Sequence, residues 1–221
     1  MKNGDIACKA YYGDRKELIQ FIPVGCKRVL EVGSAEGGFR QYFNDDCEYW
    51  GIEPNKEAAD RSRATLFKVI CSDFNSAKAQ LSIGYFDLIV CNDVIEHMAD
   101  PTAFLTAVQP YLGSKGAVIG SIPNVRFFQN LVNLLLRKDW KYEDSGILDR
   151  THLKFFTLKS LIRLFNFCNY EIEVIKGINS EVLELGNVKS ILRRFFMIIL
   201  GQDTMHQQFG FKLSVKNSCD V

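Results

Sequence analysis

The 221-residue sequence has no excess charge of either sign, no paired cysteine motif and no long apolar run. Lys and Arg total 27 against 26 Asp and Glu, so the chain lacks the basic surface that binding to nucleic-acid phosphates requires. Its seven cysteines form no C-x-x-C pair, which argues against a disulfide or zinc framework and favours reduced thiols. No run approaches the roughly 20 apolar residues that span a bilayer, and the first residues do not resemble a secretion signal. We therefore expect a cytoplasmic protein without a nucleic-acid partner.

Short apolar runs alternate with helix-like segments along the chain. The run at 85–92 is almost continuously hydrophobic, which is typical of a parallel strand buried on both faces. The length and the 47% hydrophobic content suit one α/β domain over 1–221. We predict helices at 14–22, 56–64, 102–112, 125–137 and 157–168, and strands at 28–32, 49–53, 67–71, 85–92, 116–124, 170–175 and 208–215.

The rest of the chain is organised around the segment 28–38, which predicts a strand, a glycine turn and the start of a helix. In an open parallel sheet this arrangement builds a ligand crevice at the carboxyl edge. A dinucleotide-binding turn follows the pattern G-x-G-x-x-G, and its middle glycine lets a pyrophosphate approach the backbone. That position is Ala35 here, which counts against a nicotinamide oxidoreductase. The alternatives are another nucleotide, read by Glu31, Gly33, Ala35 and Gly37, or a turn without a ligand.

Three motifs resemble those of class I S-adenosylmethionine (SAM)-dependent methyltransferases, and the resemblance spans about residues 27–176. The series Glu31-x-Gly33-x-Ala35-x-Gly37 resembles the first motif of the family, and FDLIVCNDVIEHMADP at 86–101 resembles its fourth-strand motif. SIPNVR and GILDRTHLKFFT resemble a bacterial subgroup associated with surface-polysaccharide or other glycan biosynthesis. The resemblance implies SAM as cofactor and a Rossmann-like seven-stranded mixed sheet, with helices on both faces and the last strand antiparallel.

The predicted cofactor residues follow the ends of the first four strands. Glu53 lies about twenty residues beyond the glycine turn, where a carboxylate accepts hydrogen bonds from both ribose hydroxyls; the alternative is a surface residue that caps the next helix. A carboxylate at Asp73 has the chemistry to accept from an adenine amino group, with Phe74 against the ring. The full predicted set is Glu31, Gly33, Ala35, Gly37, Glu53, Pro54, Asp73, Phe74 and Asn92.

The segment 125–156 follows the fifth strand and is rich in polar and aromatic residues, which is typical of a functional loop. We expect it to cover the crevice and contact the substrate. Asn124 comes just before this segment and ends beside the same edge of the sheet. The predicted substrate-binding residues are Asn124, Arg126, Tyr142 and Arg150.

Asp149, His152 and His97 are the candidate catalytic residues. An Asp can hold an imidazole in one tautomer so that its second nitrogen accepts a proton, and we assign these roles to Asp149 and His152. Hydrogen bonds that pin the loop are the alternative. For His97, a basic role beside the methyl group competes with simple packing at the helix start.

A helical insertion is predicted at 178–206, between the last two strands. Within it, 188–200 has a broad apolar helical face flanked by Lys189, Arg193 and Arg194. Contact with an anionic membrane surface, burial in a homodimer and coverage of the core are the three interpretations. A lipid-linked substrate would favour the first.

We therefore predict a SAM-dependent methyltransferase that acts on a small molecule or glycan precursor, at a sugar hydroxyl in polysaccharide biosynthesis. The methyl group of SAM is already activated, so in-line transfer is expected to depend on alignment and to need no metal. The alternatives are N-methylation of an amine, transfer to another heteroatom, and a non-catalytic module that binds SAM.

Overall fold

The structure is a computed structural model that describes residues 15–180 and 188–216. Part of the predicted insertion, 181–187, lies outside the described residues. The strands are β1 (Arg28–Val32), β2 (Glu48–Ile52), β3 (Lys68–Ile70), β4 (Phe86–Asn92), β5 (Leu112–Pro123), β6 (Tyr170–Ser180) and β7 (His206–Val215). The α-helices are α1 (Lys56–Ser62), α2 (Phe74–Ala77), α3 (Pro101–Val108), α4 (Phe128–Leu135), α5 (Leu158–Phe167) and α6 (Val188–Leu200).

The seven strands form one mixed sheet in the order β3-β2-β1-β4-β5-β7-β6. Strands β1 to β5 pair in parallel, whereas β7 lies antiparallel between β5 and β6. This confirms the predicted fold class, including the antiparallel last strand. Parallel pairing brings the carboxyl ends of β1 to β5 to one edge, where a ligand crevice is expected.

Two separate apolar clusters cover the two faces of the sheet because buried strand residues alternate between them. Leu88 and Val90 of β4 face one cluster, and Ile89 and Cys91 face the other. Helices α3 and α5 pack on one face and the 3₁₀ helices Lys16–Phe21 and Gly38–Tyr42 on the other. Their buried contacts are Phe104, Leu105, Leu161, Phe165, Leu18, Phe21 and Phe39.

Helix starts are fixed by short polar side chains. Asn55, Asp73, Asp100 and Thr157 each accept a hydrogen bond from a main-chain N–H in the first turn of α1, α2, α3 and α5. Such caps satisfy donors that the helix itself leaves unpaired. The cap at Thr157, where the predicted helix at 157–168 begins, is part of a capping box.

Three predicted boundaries need correction. The segments predicted as helices at 14–22 and after the glycine turn are short 3₁₀ helices, Lys16–Phe21 and Gly38–Tyr42. In the first of them Leu18 and Phe21 are buried, a spacing of three that a 3₁₀ turn places on one side. The insertion between the last strands covers 181–205 rather than 178–206, because β6 and β7 continue to pair as far as Ser180 and His206.

Gly120 lies where β5 passes closest to β4. A Cβ atom there would be 2.1 Å from the carbonyl oxygen of Cys91 and 2.7 Å from the ring of Phe211. Gly120→Ala is therefore expected to lower the free energy of unfolding by about 2–3 kcal/mol, as overpacking does. Urea unfolding measures the loss, with Gly38→Ala as control because a Cβ at Gly38 has no atom within 4 Å. Equal stability of the two variants would contradict the close approach.

Candidate functional site

A cavity of about 1170 Å³ opens at the carboxyl edge of the sheet. Its lining comes from residues within 31–39, 52–55, 72–74 and 92–98, which follow β1, β2, β3 and β4, and from the loop 145–152. Eight of the nine predicted cofactor residues line it, Gly37 being the exception, and so do the three candidate catalytic residues. The strand ends thus bring together residues that are far apart in the sequence.

The glycine turn has left-handed backbone at alternate positions: φ is 72° at Gly33, 46° at Ala35 and 79° at Gly37. A Cβ at Gly33 would lie 2.8 Å from Val94, so this position requires glycine for space as well as for φ. Ala35 accepts the same backbone region at a cost of about 1–2 kcal/mol. Strained backbone of this kind persists where surrounding contacts hold it and is common at functional sites.

The contact that holds Ala35 comes from Glu53, whose Oε2 accepts the Ala35 N–H at 2.8 Å. Its Oε1 accepts the N–H of Asn55, also at 2.8 Å. The cap of α1 is Asn55 itself, so Glu53 is not a capping residue. Each carboxylate oxygen accepts more than one hydrogen bond, and Glu53 is therefore oriented by the backbone while it still faces the cavity beside Pro54.

Glu31 lies at the inner end of the cavity and is 4% exposed. Burial raises its pKa to about 8, against the hydrogen bond that Tyr49 donates to its Oε2 at 2.8 Å. The raised pKa favours the protonated side chain at neutral pH. A cationic ligand group nearby would favour its ionised form.

Asp73 and Phe74 are tied to the fold as well as to the cavity. Both carboxylate oxygens of Asp73 accept from Ser76, at 3.1 Å from the main-chain N–H and 2.8 Å from the hydroxyl. Hydrogen bonds from the Ser76 hydroxyl and main chain hold the pKa of Asp73 below its usual value. The ring of Phe74 packs edge to face on Phe104, with 5.1 Å between centroids, so most of its surface is in the core.

Asn92 is the last residue of β4, and its side-chain amide is buried without a hydrogen-bond partner among the described residues. Neither its amide nitrogen nor its carbonyl oxygen has a hydrogen-bond partner within the described residues, and both atoms are buried. Unpaired buried polar atoms are rare and costly. Because Asn92 lines the cavity, a ligand there would satisfy it.

Glu96, His97 and His152 form a cluster on the wall of the cavity. The Oε1 of Glu96 lies 4.0 Å from the Nε2 of His152, and the two imidazole rings are 4.8 Å apart between centroids. Burial raises the pKa of Glu96 well above its usual value. Burial and the neighbouring His152 lower the pKa of His97, so a neutral imidazole is favoured.

The tautomer of His152 is set by a main-chain carbonyl. Its Nδ1 lies 3.0 Å from the carbonyl oxygen of Ile147, which only accepts, so Nδ1 carries the proton and Nε2 carries the lone pair. Ile147, rather than Asp149, therefore holds Nδ1 of His152. The Oδ1 of Asp149 accepts instead from the N–H and hydroxyl of Thr151, at 2.7 and 2.6 Å. The Thr151 carbonyl oxygen lies 3.2 Å from Nδ1 of His97, so Asp149 helps to position His97.

The four predicted substrate-binding residues do not line the cavity. Asn124 is fully buried and donates to the carbonyl oxygens of Asp203 and His206, at 2.7 and 2.9 Å. Its own Oδ1 accepts from the N–H of Arg126, whose side chain pairs with Asp203 at 2.7 Å. Both side chains fasten the turn before β7, and their contact with substrate stays a prediction.

Tyr142 and Arg150 lie on the outer surface of the segment 125–156. Arg150 pairs with Asp144 at 2.7 Å, and Tyr142, 48% exposed, stacks loosely near Phe155 with 6.3 Å between ring centroids. The part of this segment that does cover the cavity is the loop 145–152. Neither Tyr142 nor Arg150 lines the cavity, and their contact with substrate stays a prediction.

Two groups at the site had no role in the sequence-based predictions. Glu96 stands in the fourth-strand motif, but its burial could not be read from the motif. The second group surrounds Asp93, which accepts hydrogen bonds from Arg15, Ser121 and Gln208. Asp93 has a left-handed φ of 51°, the kind of local strain that marks functional sites.

Comparison with known proteins gives one family match and many similar folds. A family model described as a methyltransferase domain matches residues 12–174. Comparison with curated proteins gives no match. Three solved SAM-dependent methyltransferases, each under 25% identical, share the fold.

The protein from Archaeoglobus fulgidus is 17% identical with a TM-score of 0.66, and the match covers 92% of this chain and 95% of that one. A Thermotoga maritima protein, described as a possible histamine N-methyltransferase, is 16% identical with a TM-score of 0.63 and coverages of 95% and 91%. The Aquifex aeolicus protein is 10% identical with a TM-score of 0.60 and coverages of 94% and 93%.

Proposed function

The chain belongs to the class I SAM-dependent methyltransferases, and we propose that it methylates a hydroxyl of a sugar or glycan precursor, in polysaccharide biosynthesis. In this proposal residues 1–221 act as one domain, and the loop 145–152 covers the acceptor. The observation that carries the proposal is the hydrogen bond from Nδ1 of His152 to the Ile147 carbonyl. It leaves the lone pair on Nε2 of a residue that lines the same cavity as the glycine turn. The family assignment removes the nicotinamide alternative.

The residues of the cavity fit SAM. Gly33 in the left-handed turn lines the cavity. A Cβ atom at this position would clash with Val94, so the main chain itself forms this part of the wall. Glu53 offers oriented carboxylate oxygens to ribose hydroxyls. The unpartnered Asn92 lines the same cavity, and Glu31 suits a cationic group. When bound, SAM supplies a methyl group that its sulfonium has already activated.

A hydroxyl acceptor needs help that a neutral amine does not. It is a poor nucleophile until its proton leaves, and a positioned base contributes about 10²–10⁴-fold. The Ile147 carbonyl fixes Nε2 of His152 as the atom with a lone pair, and Asp149 positions His97 through Thr151. Two oriented imidazoles suit a hydroxyl acceptor better than an amine, because only the hydroxyl depends on a base to remove its proton.

The direct test is SAM turnover with defined acceptors. Nucleotide sugars and free oligosaccharides are compared with histamine, because a relative of similar fold is described as a possible histamine N-methyltransferase. Methylated sugar with stoichiometric demethylated SAM is the expected result. Methylation of histamine alone would contradict the proposal, and SAM binding with no turnover on either class would favour a non-catalytic module.

We also propose that α6 contacts an anionic membrane surface on the cytoplasmic side, where a lipid-linked glycan precursor would be found. Part of the helix covers α4, since Leu200 packs near Phe128 and Val132. Ile191, Ile198 and Ile199 remain 60–79% exposed, close to the exposed Arg194. Apolar side chains with adjacent cations suit the membrane interface. No helix in the described ranges is long and apolar enough to cross a bilayer.

Co-sedimentation with vesicles that contain phosphatidylserine tests this contact. Ile198→Asp is expected to lower vesicle binding several-fold, since a charge replaces buried apolar area. Ile83→Asp is the matched control, because Ile83 is also an exposed isoleucine, at 72%, but lies outside α6. If Ile198→Asp instead abolishes a concentration-dependent dimer in light scattering, and neither protein binds vesicles, the helix is a dimer interface.

A further inference from the structure

We propose that Glu96, His97 and His152 bind a divalent transition-metal ion at the wall of the cavity. One ligand atom from each residue lies within 4.8 Å of the others. Two imidazoles and one carboxylate are a ligand set that Zn²⁺, Fe²⁺ and related ions use, with further positions open. All three residues line the cavity, so an ion can enter from the cavity and can contact an acceptor bound there.

The imidazoles are oriented as metal ligands usually are. Nδ1 of His152 donates to the carbonyl oxygen of Ile147 at 3.0 Å, and Nδ1 of His97 donates to that of Thr151 at 3.2 Å. Metal-ligating histidines almost always donate their second ring N–H to such a group, which fixes the tautomer and ring orientation. Both contacts assign the ligand role to Nε2.

Glu96 supplies the independent observation. Its side chain is 1% exposed, and within the described chain neither carboxylate oxygen has a hydrogen-bond partner. A buried, unpaired carboxyl is costly, and a cation beside Nε2 of His152 would remove that cost. Metal bonds of about 2.0–2.2 Å around a tetrahedral ion place two donor atoms about 3.4 Å apart. The 4.0 Å separation from His152 is about 0.6 Å wider than this. The widest separation, up to 4.8 Å, requires the side chains to move inward by about 1.4 Å when an ion binds.

The backbone holds the two halves of this site together. The carbonyl oxygen of Glu96 accepts from the N–H groups of Leu153 and Lys154, at 2.9 and 3.0 Å. Asp149 holds Thr151 through two further hydrogen bonds. The loop that carries His152 is thereby fastened to the 3₁₀ turn that carries Glu96 and His97. Ligands on tied segments keep the precise geometry that a metal site needs.

The ligand set also selects the ion. Mg²⁺ and Ca²⁺ prefer oxygen ligands, whereas imidazole suits Zn²⁺, Co²⁺ and Fe²⁺. The catalytic consequence rests on the proposed function: a cation at this place would lower the pKa of an acceptor hydroxyl, and its proton would pass to solvent. His152 would then act as a ligand rather than as the proton acceptor.

Co²⁺ titration of the chelator-treated full-length protein tests the site through its visible absorption. We expect one Co²⁺ per chain, no competition by equimolar Mg²⁺, and an affinity at least about 10-fold weaker in Glu96→Gln and in His152→Ala. His206→Ala is the matched control, since this third histidine lies away from the cavity, with Nδ1 2.7 Å from the Ser180 hydroxyl. Retained SAM binding shows that each variant is folded.

Equal Co²⁺ affinity in all four proteins, or a thiolate charge-transfer band that assigns the ion to cysteine, would overturn the metal site. Turnover on a sugar acceptor separates this proposal from the proposed function. Full activity after chelation, without stoichiometric Co²⁺ binding, rejects the metal and leaves the methyltransfer intact. The expected Co²⁺ pattern without any sugar methylation supports the metal site and rejects the acceptor.

Discussion

His152→Ala is expected to leave SAM binding unchanged and to lower turnover on a hydroxyl acceptor by about 10²–10⁴-fold. His152 lines the cavity, and the Ile147 carbonyl holds its Nδ1, which leaves the lone pair on Nε2. The substitution removes this lone pair, whether it takes a proton or holds an ion. The fold should tolerate the change, since the imidazole is at the cavity wall. Production of demethylated SAM gives kcat, and calorimetry gives the Kd of SAM.

His206→Ala controls for loss of an imidazole elsewhere in the chain and should retain wild-type turnover. His97→Ala provides a graded comparison, because His97 is the second ring of the pair, 4.8 Å from His152 between centroids. If His152→Ala turns over at the wild-type rate, His152 has no part in the chemistry. If it loses SAM binding as well, its role is structural.

Glu53→Ala is expected to weaken SAM binding by roughly 100-fold, or about 3 kcal/mol, which corresponds to two hydrogen bonds to a charged group. The carboxylate would be lost as acceptor for the ribose hydroxyls. Its hydrogen bond to the N–H of Ala35 would be lost too, which frees that residue to leave its left-handed conformation. Calorimetric titration with SAM measures the change.

Glu57→Ala is the matched control, because Glu57 is an exposed glutamate in the first turn of α1. Glu53→Gln should fall between the wild type and Glu53→Ala, since it keeps one acceptor oxygen. A Kd for Glu53→Ala within about two-fold of the wild type would show that SAM does not use this carboxylate.

The strands and the glycine turn could be predicted because their signals are local. The run at 86–92 is hydrophobic on both faces, and Gly33, Ala35 and Gly37 mark a turn that few other residues allow. Thr157 could be identified as a cap for the same reason. The 3₁₀ helices could not, because a short apolar spacing of three or four residues fits either helix type.

The cavity wall was harder to predict because its chemistry depends on distant partners. Asn124 was expected at the substrate, yet it is bound to Asp203 and His206, about eighty residues further along the chain. The orientation of His152 depends on the main-chain carbonyl of Ile147. Every residue has such a carbonyl, so the sequence does not indicate which one the imidazole contacts. Glu96 was visible as a letter in a motif, but its unpaired burial arises only when the loop 145–152 packs against it.

The position of β7 has a consequence for how the protein is made. Among the described residues β6 pairs with β7 alone, and β7 in turn separates it from β5. During synthesis β6 therefore leaves the ribosome before the strand that joins it to the sheet exists. The backbone of β6 stays unpaired until residues 206–215 have been synthesised. During this period a chaperone or a neighbouring nascent chain can bind the exposed strand edge.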